Sequence, residues 1–236
     1  MKASVKCITS VLLAAVTTVA MAGRPLATDD AAVADTGSCQ VEAWHERQTG
    51  ERATVVAPAC GIAEHWELGG DITRSRSSGD RATGVGLASK WVPEGGRFDT
   101  ALGPLTLGAK LALGAQRPTG AAWRTHTVSA LGLATLEITP ELLLHVNLGP
   151  VRERDPRSNF TVFNSALAWS VSERALLFIE GQATDSSAQG GTVRTGGARW
   201  WLFEDSLGLD VTASRQSGSS SGTRWSVGLG WYRLGL

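Results

Sequence analysis

Long apolar runs are missing from this chain beyond its leader. No later stretch approaches 18 consecutive apolar residues, which excludes a membrane-spanning helix. Helical periodicity is missing too, which argues against all-α and α/β folds. Charge of one sign is missing: 22 basic residues face 22 acidic ones, and without Lys2 and Lys6 the balance is 20 to 22, a net −2. That is no footprint for nucleic acid or for an anionic lipid surface. Cysteine is scarce at three, and Cys7 lies in the leader. The two that remain cannot close a zinc site. Histidine is scarce as well: His45, His65, His126 and His145. No G-x-S-x-G, HExxH or phosphate loop occurs, and Gly84-Val-Gly-Leu-Ala falls within a strand pattern rather than a dinucleotide fold. His126 and Ser129 are separated by an odd number on one strand, so they should face opposite ways and cannot form a nucleophile–base pair. No catalytic residue, cofactor or metal site is expected.

What is present begins with the leader. Lys2 and Lys6 precede the apolar stretch Ile8–Val19, and Ala20-Met21-Ala22 offers a small-x-small cleavage site. Residues 1–22 therefore read as a signal peptide, 23–38 as an N-terminal periplasmic or lumen segment, and 39–236 as the folded domain. That domain is a series of short alternating segments. Leu142, Leu144, Val146 and Leu148 share one face, with His145 and Asn147 on the other. Leu207, Leu209 and Val211 do the same, as do Trp225, Val227, Leu229 and Trp231. Period-2 alternation means strands between two different environments. In an exported chain it predicts an all-β fold, an antiparallel up-and-down transmembrane β-barrel.

Turn residues divide the domain into about 12 strands: 39–48, 52–60, 64–74, 82–91, 105–116, 123–137, 141–149, 160–170, 174–183, 193–202, 206–215 and 223–233. Tight connections at 138–140, 171–173 and 203–205 should lie on one side, the periplasm. Longer ones at 75–81, 150–159, 184–192 and 216–222 should lie outside. The long link 92–104 breaks this rule and has room for a short helix or a loop. Nine tryptophans stand against one tyrosine. Trp91, Trp169, Trp200, Trp201 and Trp231 fall where strands reach the periplasmic side, and Trp123 and Trp225 at the opposite rim. Two aromatic girdles have this distribution.

Cys39 and Cys60 should form a disulfide. A hairpin centred on Thr49-Gly50 pairs residues whose numbers sum to 99, and the two cysteines satisfy that sum. The face opposite the apolar one carries Glu67, Asp71, Lys90, Lys110, Gln116, His145, Asn147, Glu180, Gln182, Arg199, Asp210 and Arg224, the candidates for the lumen wall. Four are acidic and four basic, which argues against strong ion selectivity. If the lumen is wet, Asp210→Asn should be mild beside Leu209→Arg.

Arg24-Pro25-Leu26-Ala27-Thr28-Asp29-Asp30-Ala31, followed by Cys39-Gln40-Val41-Glu42-Ala43-Trp44, resembles the start of a family of uncharacterised proteobacterial outer-membrane barrels. That family is similar to barrels associated with phenol and aromatic-degradation pathways. The resemblance implies location in the outer membrane and passage of small apolar or aromatic solutes, with no catalytic residues. Residues 24–30 read either as a solvated tail or as a lumen plug. The functional expectation is a passive channel for small solutes, in contact with outer-membrane lipid and lipopolysaccharide. Its alternatives are a structural or binding barrel with a closed, ion-paired lumen, and a soluble periplasmic lipocalin-like barrel. A lipid-modifying enzyme is disfavoured, and oligomeric state is not legible.

Overall fold

The computed structural model describes residues 26–154, 157–186, 191–217 and 222–235. The leader, residues 23–25 and parts of the expected loops 184–192 and 216–222 lie outside the described residues. The chain forms a closed antiparallel barrel of twelve strands. In order the strands are β1 (Ser38–Gln48), β2 (Glu51–Ala63), β3 (Trp66–Ser77), β4 (Asp80–Trp91), a short β5 (Arg97–Thr100), β6 (Gly103–Pro118), β7 (Arg124–Thr139), β8 (Leu142–Arg154), β9 (Arg157–Ser172), β10 (Ala175–Thr184), β11 (Val193–Phe203), β12 (Leu207–Gln216) and β13 (Arg224–Gly235). Sequence neighbours pair throughout. The ring closes by β1 against β13 and by β4 against β6, with β5 an extra strand hydrogen-bonded to the start of β6. Closure leaves none of the twelve barrel strands with an open edge; only the short β5, paired on one side to β6, stands outside the ring. The link after β4 contains one 3₁₀ turn, Glu94–Gly96, before β5.

The first hairpin has the register its turn dictates. Gly50 takes a φ of +77°, and the pairs run from Gln48↔Glu51 to Cys39↔Cys60. The disulfide joins those two cysteines. Cys39 also pairs with Leu234 on β13, so both ends of the domain meet at one end of the barrel, here the terminal end. Tight turns at Pro140–Glu141, Glu173–Arg174 and Glu204–Ser206 lie at that end as well.

Two expected loops are strands instead. Residues 75–81 continue the β3–β4 ladder around a two-residue turn, where Ser78 and Gly79 both take positive φ, +46° and +101°. Such a turn matches strand twist, so no longer loop is needed. Residues 150–154 and 157–159 also belong to strands, with Arg154 paired to Arg157. Pro150 pairs with Thr161 inside that ladder. Its arginines, acids and proline gave a loop-like composition to what is a strand extension.

Burial is inside out. Ile72, Leu87, Leu111, Ile179, Val211 and Val227 are exposed, whereas Glu42, Lys90, Lys110, Asn147, Glu180 and Asp210 are buried. A soluble lipocalin-like barrel needs the reverse, and that alternative falls here. No helix among the described residues is long and apolar enough to cross a membrane. An outward apolar face on a closed barrel is the β-sheet solution to the same problem.

Of the seven expected girdle tryptophans, Trp91, Trp123, Trp169, Trp200, Trp225 and Trp231 are exposed and lie near strand ends. Trp201 is a correction. It sits on the same face of β11 as Arg199, and its ring packs against Arg199 and edge-on to Tyr232 inside the barrel. Adjacent strand residues point to opposite faces, so Trp200 and Trp201 cannot both look outward. Trp66, which the girdle reading omitted, stacks on Trp91 with ring centroids 5.9 Å apart.

Candidate functional site: the barrel lumen

Strand alternation builds the lumen wall. Glu67 and Asp71 on β3 alternate with exposed Leu68 and Ile72. Lys90 ends the inward row of β4, and Lys110 lies directly opposite it on β6. His145 and Asn147 on β8, Glu180 on β10, Arg199 on β11 and Asp210 on β12 are all buried. Asp71, Gln116, Gln182 and Arg224 are partly exposed on the same inward face. Each buried charge needs compensation at this depth.

The compensation comes from the chain's own N-terminal segment. Thr28, Asp29 and Ala31 are buried, at 1%, 2% and 4% exposure. Both Lys90 and Lys110 donate to the Asp29 carboxylate, Lys90 at 3.0 Å. Asn147 grips the Asp29 backbone twice, accepting from its N–H at 2.7 Å and donating to its carbonyl at 2.8 Å. The Thr28 backbone N–H and hydroxyl both donate to Glu180. Ala31 N–H donates to Thr135 Oγ1 at 2.8 Å, and that hydroxyl meets His145 Nδ1 at 3.0 Å. Ala34 N–H donates to Glu67 at 2.9 Å. The segment leaves at the terminal end, where Gly37 N–H reaches the Gly61 carbonyl. A Cβ on Gly61 would lie 2.2 Å from the Ala34 carbonyl, so glycine is needed where the segment crosses β2. The wall thus acts as a comb of side chains that reads an extended peptide backbone. Sequence reasoning found the wall residues by parity. It left the fate of Asp29 open, because nothing local ties that residue to Lys90 or Lys110.

A second cluster sits toward the terminal end. Arg199 Nη2 lies 3.2 Å from Asp210 and 3.9 Å from Glu42, and Nη1 donates to the Tyr232 hydroxyl. Tyr232 in turn donates to Glu42. The guanidinium also lies over the rings of Trp201 and Tyr232, at 5.2 and 5.1 Å. Glu42, Trp201 and Tyr232 were missed as partners here, because β1 and β13 meet only when the barrel closes.

The inward face of β7 to β10 also carries an apolar cluster. Leu133, Val151, Phe160, Ala166, Ala168 and Phe178 are buried on β7 to β10. The Phe178 ring occupies the space over Gly197, where a Cβ would come within 2.5 Å of it. The opposite wall, on β2, β3, β4 and β6, carries small residues and keeps open space. A cavity of about 190 Å³ lies there toward the far end, among Trp44, Val55, Asp71, Gly84, Gly114 and Gln116. A narrow one of about 40 Å³ follows toward the terminal end, among Glu42, Ala57, Gly69, Ala88, Lys90 and Asp29. On β1, β2, β3 and β4 its lining continues the inward row of the larger cavity.

His126 corrects the argument against a His–Ser pair. Gly114 pairs with Thr127 and Ala115 with Thr125, so a bulge leaves His126 unopposed. A bulge breaks the alternation. His126 consequently lines the larger cavity beside Thr127, on the inward side that also holds buried Ser129. Among the described residues no group of His, Cys, Asp and Glu could hold a metal.

The chain belongs to the family described as Uncharacterised conserved protein UCP029691, whose model matches residues 10–230. No curated protein matches. Among solved structures it is similar to a KdgM porin, at 10% identity and TM-score 0.62, covering 81% of this chain and 98% of that one. It is similar to a NanC porin, at 8% identity and TM-score 0.57, covering 84% and 100%. It is also similar to the COG4313 outer membrane channel from Pseudomonas putida F1, at 11% identity and TM-score 0.56, covering 86% and 98%. At these identities the likeness is one of fold.

Proposed function

We propose that the protein is a passive outer-membrane channel for small solutes, exported by cleavage after Ala22, with residues 26–35 seated in the lumen as its constriction. The observation that carries this reading is the pair of successive cavities along the small-residue wall, the only side of the lumen that neither the apolar cluster nor the segment fills among the described residues. A solute entering from the far end meets Trp44 and Val55 beside Asp71 and Gln116, a wall that suits a small molecule with an apolar body. The resemblance at residues 24–44 points the same way, to small apolar or aromatic compounds. The neck beside Asp29, Lys90 and Glu67 presents both signs of charge, which disfavours strong ion selectivity. A neck of about 40 Å³ has room for one or two waters, so bulky sugars should not pass without displacement of the segment.

Planar-bilayer recording tests this. The mature protein should give small, weakly selective single-channel steps, and removal of residues 26–35 should raise them several-fold. A second reading, a structural barrel closed by ion pairs, is favoured by the completeness of the Asp29 network. It predicts no steps from the intact protein. Equal conductance with and without the segment would reject the constriction.

A further inference from the structure

The net charge of the chain conceals a segregation. Acids dominate the lumen, and arginines gather on the outward face at the far end. Arg47, Arg52, Arg76 and Arg81 lie on β1, β2, β3 and β4 in direct register, as the pairs Arg47↔Arg52, Arg52↔Arg76 and Arg76↔Arg81. All four are exposed. Each sits one position away from an inward residue: Glu46, Glu51, Ser75 or Ser77, and Ala82 all line the cavity within. By strand alternation the row's side chains leave on the outer face, at the rim where Arg47, Arg52 and Arg76 also border the mouth of the larger cavity. Arg74 stands two residues below Arg76 on the same face, opposite Thr54 and Thr83. None of these five guanidinium groups makes an ion pair among the described residues; of the acids adjacent in sequence, Glu46 and Glu51 line the cavity, Glu51 pairs with Arg224, and Asp80 stands opposite Ser77 at the turn.

Like charges directly opposite on neighbouring strands are destabilising. Three successive like-charged pairs are an uncommon arrangement unless an anion shares them. Strands about 4.8 Å apart make the row roughly 14 Å long. Its level is marked on each side. Arg47 also pairs with Trp225 on β13, and Trp123, on the same rim, lies under Arg117 at 5.1 Å. Below the row, on the same outward face, come Val56, Ile72, Val85 and Leu87, all exposed. An apolar belt, then an interfacial tryptophan, then a line of arginines is the order in which acyl chains, the interface and headgroup phosphates are met.

We propose that the outward arginine row Arg47–Arg52–Arg76–Arg81, with Arg74 beneath it, binds the phosphates of a phosphorylated glycolipid of the outer leaflet, the lipopolysaccharide. Guanidinium forks hold phosphate bidentately, and one phosphate between two neighbouring arginines turns a repulsive pair into a bridged one.

The test uses full-length mature protein, the double variant Arg52→Gln/Arg76→Gln, and a control, Arg154→Gln/Arg157→Gln, a like-charged pair on β8 and β9. Each is reconstituted in phosphatidylcholine vesicles, with or without purified lipopolysaccharide or its chemically dephosphorylated form. Thermal unfolding and lipid retention in native mass spectrometry are read. Phosphorylated glycolipid should raise the wild-type midpoint, and the double variant should lose at least tenfold in retention. In phosphatidylcholine alone the same variant should be as stable as wild type or more so, since a repulsion has gone. That reversal of sign separates a ligand site from mere damage to the fold. Equal retention by wild type and Arg52→Gln/Arg76→Gln would overturn the proposal. So would an equal effect of dephosphorylated glycolipid, or of phosphatidylglycerol vesicles.

Discussion

Asp210→Asn removes one charge from the most enclosed ion cluster of the lumen. The Asp210 side chain is 0% exposed and that of Arg199 5%, with 3.2 Å between them. Breaking one partner of a buried pair costs about 3–5 kcal/mol, because the remaining charge is left without compensation. Two features lower that figure. Glu42 stays 3.9 Å from the same guanidinium, and asparagine still offers an oxygen to it. The expected loss is therefore about 2–3 kcal/mol, or roughly thirty- to a hundred-and-fifty-fold in the unfolding equilibrium. Arg199→Met should cost more, about 3–5 kcal/mol, since Asp210 and Glu42 both lose their cation. The double variant should fall short of the sum by about 1–3 kcal/mol, the coupling of residues that share one network. Urea unfolding from lipid vesicles, followed by the fluorescence of the nine tryptophans, measures all three. An Asp210→Asn loss under about 0.5 kcal/mol, with strict additivity in the double variant, would mean that water already screens the cluster. The expectation of a mild Asp210→Asn rested on a wet lumen; the packing of Trp201 and Tyr232 around Arg199 makes it dry there.

Leu209→Arg, on the exposed face one residue earlier, should cost about 2–4 kcal/mol in a bilayer and much less in a detergent that lets the cation reach water, so a loss independent of the amphiphile refutes the lipid-facing assignment. Replacing Cys39 and Cys60 together by serine should leave conductance unchanged while raising protease sensitivity during assembly, through loss of a loop constraint worth roughly 3 kcal/mol in the chain-entropy model; unchanged assembly and protease resistance would mean that the register is fixed without it. An epitope inserted at Gly120, in a turn at the far end, should be reachable on intact cells, and one at Glu173 should not; the opposite result inverts the topology. Mature protein should fractionate with the outer membrane and migrate faster on gels before heating than after, and recovery in the soluble periplasm would reject a membrane barrel.

Local chemistry made most of the barrel readable. A turn at Thr49-Gly50 fixes which residues of β1 and β2 face each other, and the disulfide partners follow by counting. Alternation needs only the next residue but one, so the inward positions of Glu67, Lys90, Asn147, Glu180 and Asp210 could be assigned without any knowledge of which strands are neighbours. The failures are equally local. Trp201 was placed by residue type and not by parity. The parity rule itself failed at His126, where a bulge consumes one residue. Residues 150–159 carry polar and proline residues that read as a loop, because a strand rising above the apolar belt no longer needs the alternation that marks a buried one.

Strand number and the polar inner face belong to the sequence, because each depends on a few consecutive residues and on the two environments they meet. What fills that inner face belongs to the tertiary structure. Asp29 finds Lys90 and Lys110, sequence separations of 61 and 81, only after the sheet has curled and the leading segment has entered it. The arginine row needs four strands in register before like charges become neighbours. Both arise from closure, which brings together charges that a net balance had cancelled, with the acids, the two lysines and Arg199 inward and a row of arginines at the far rim.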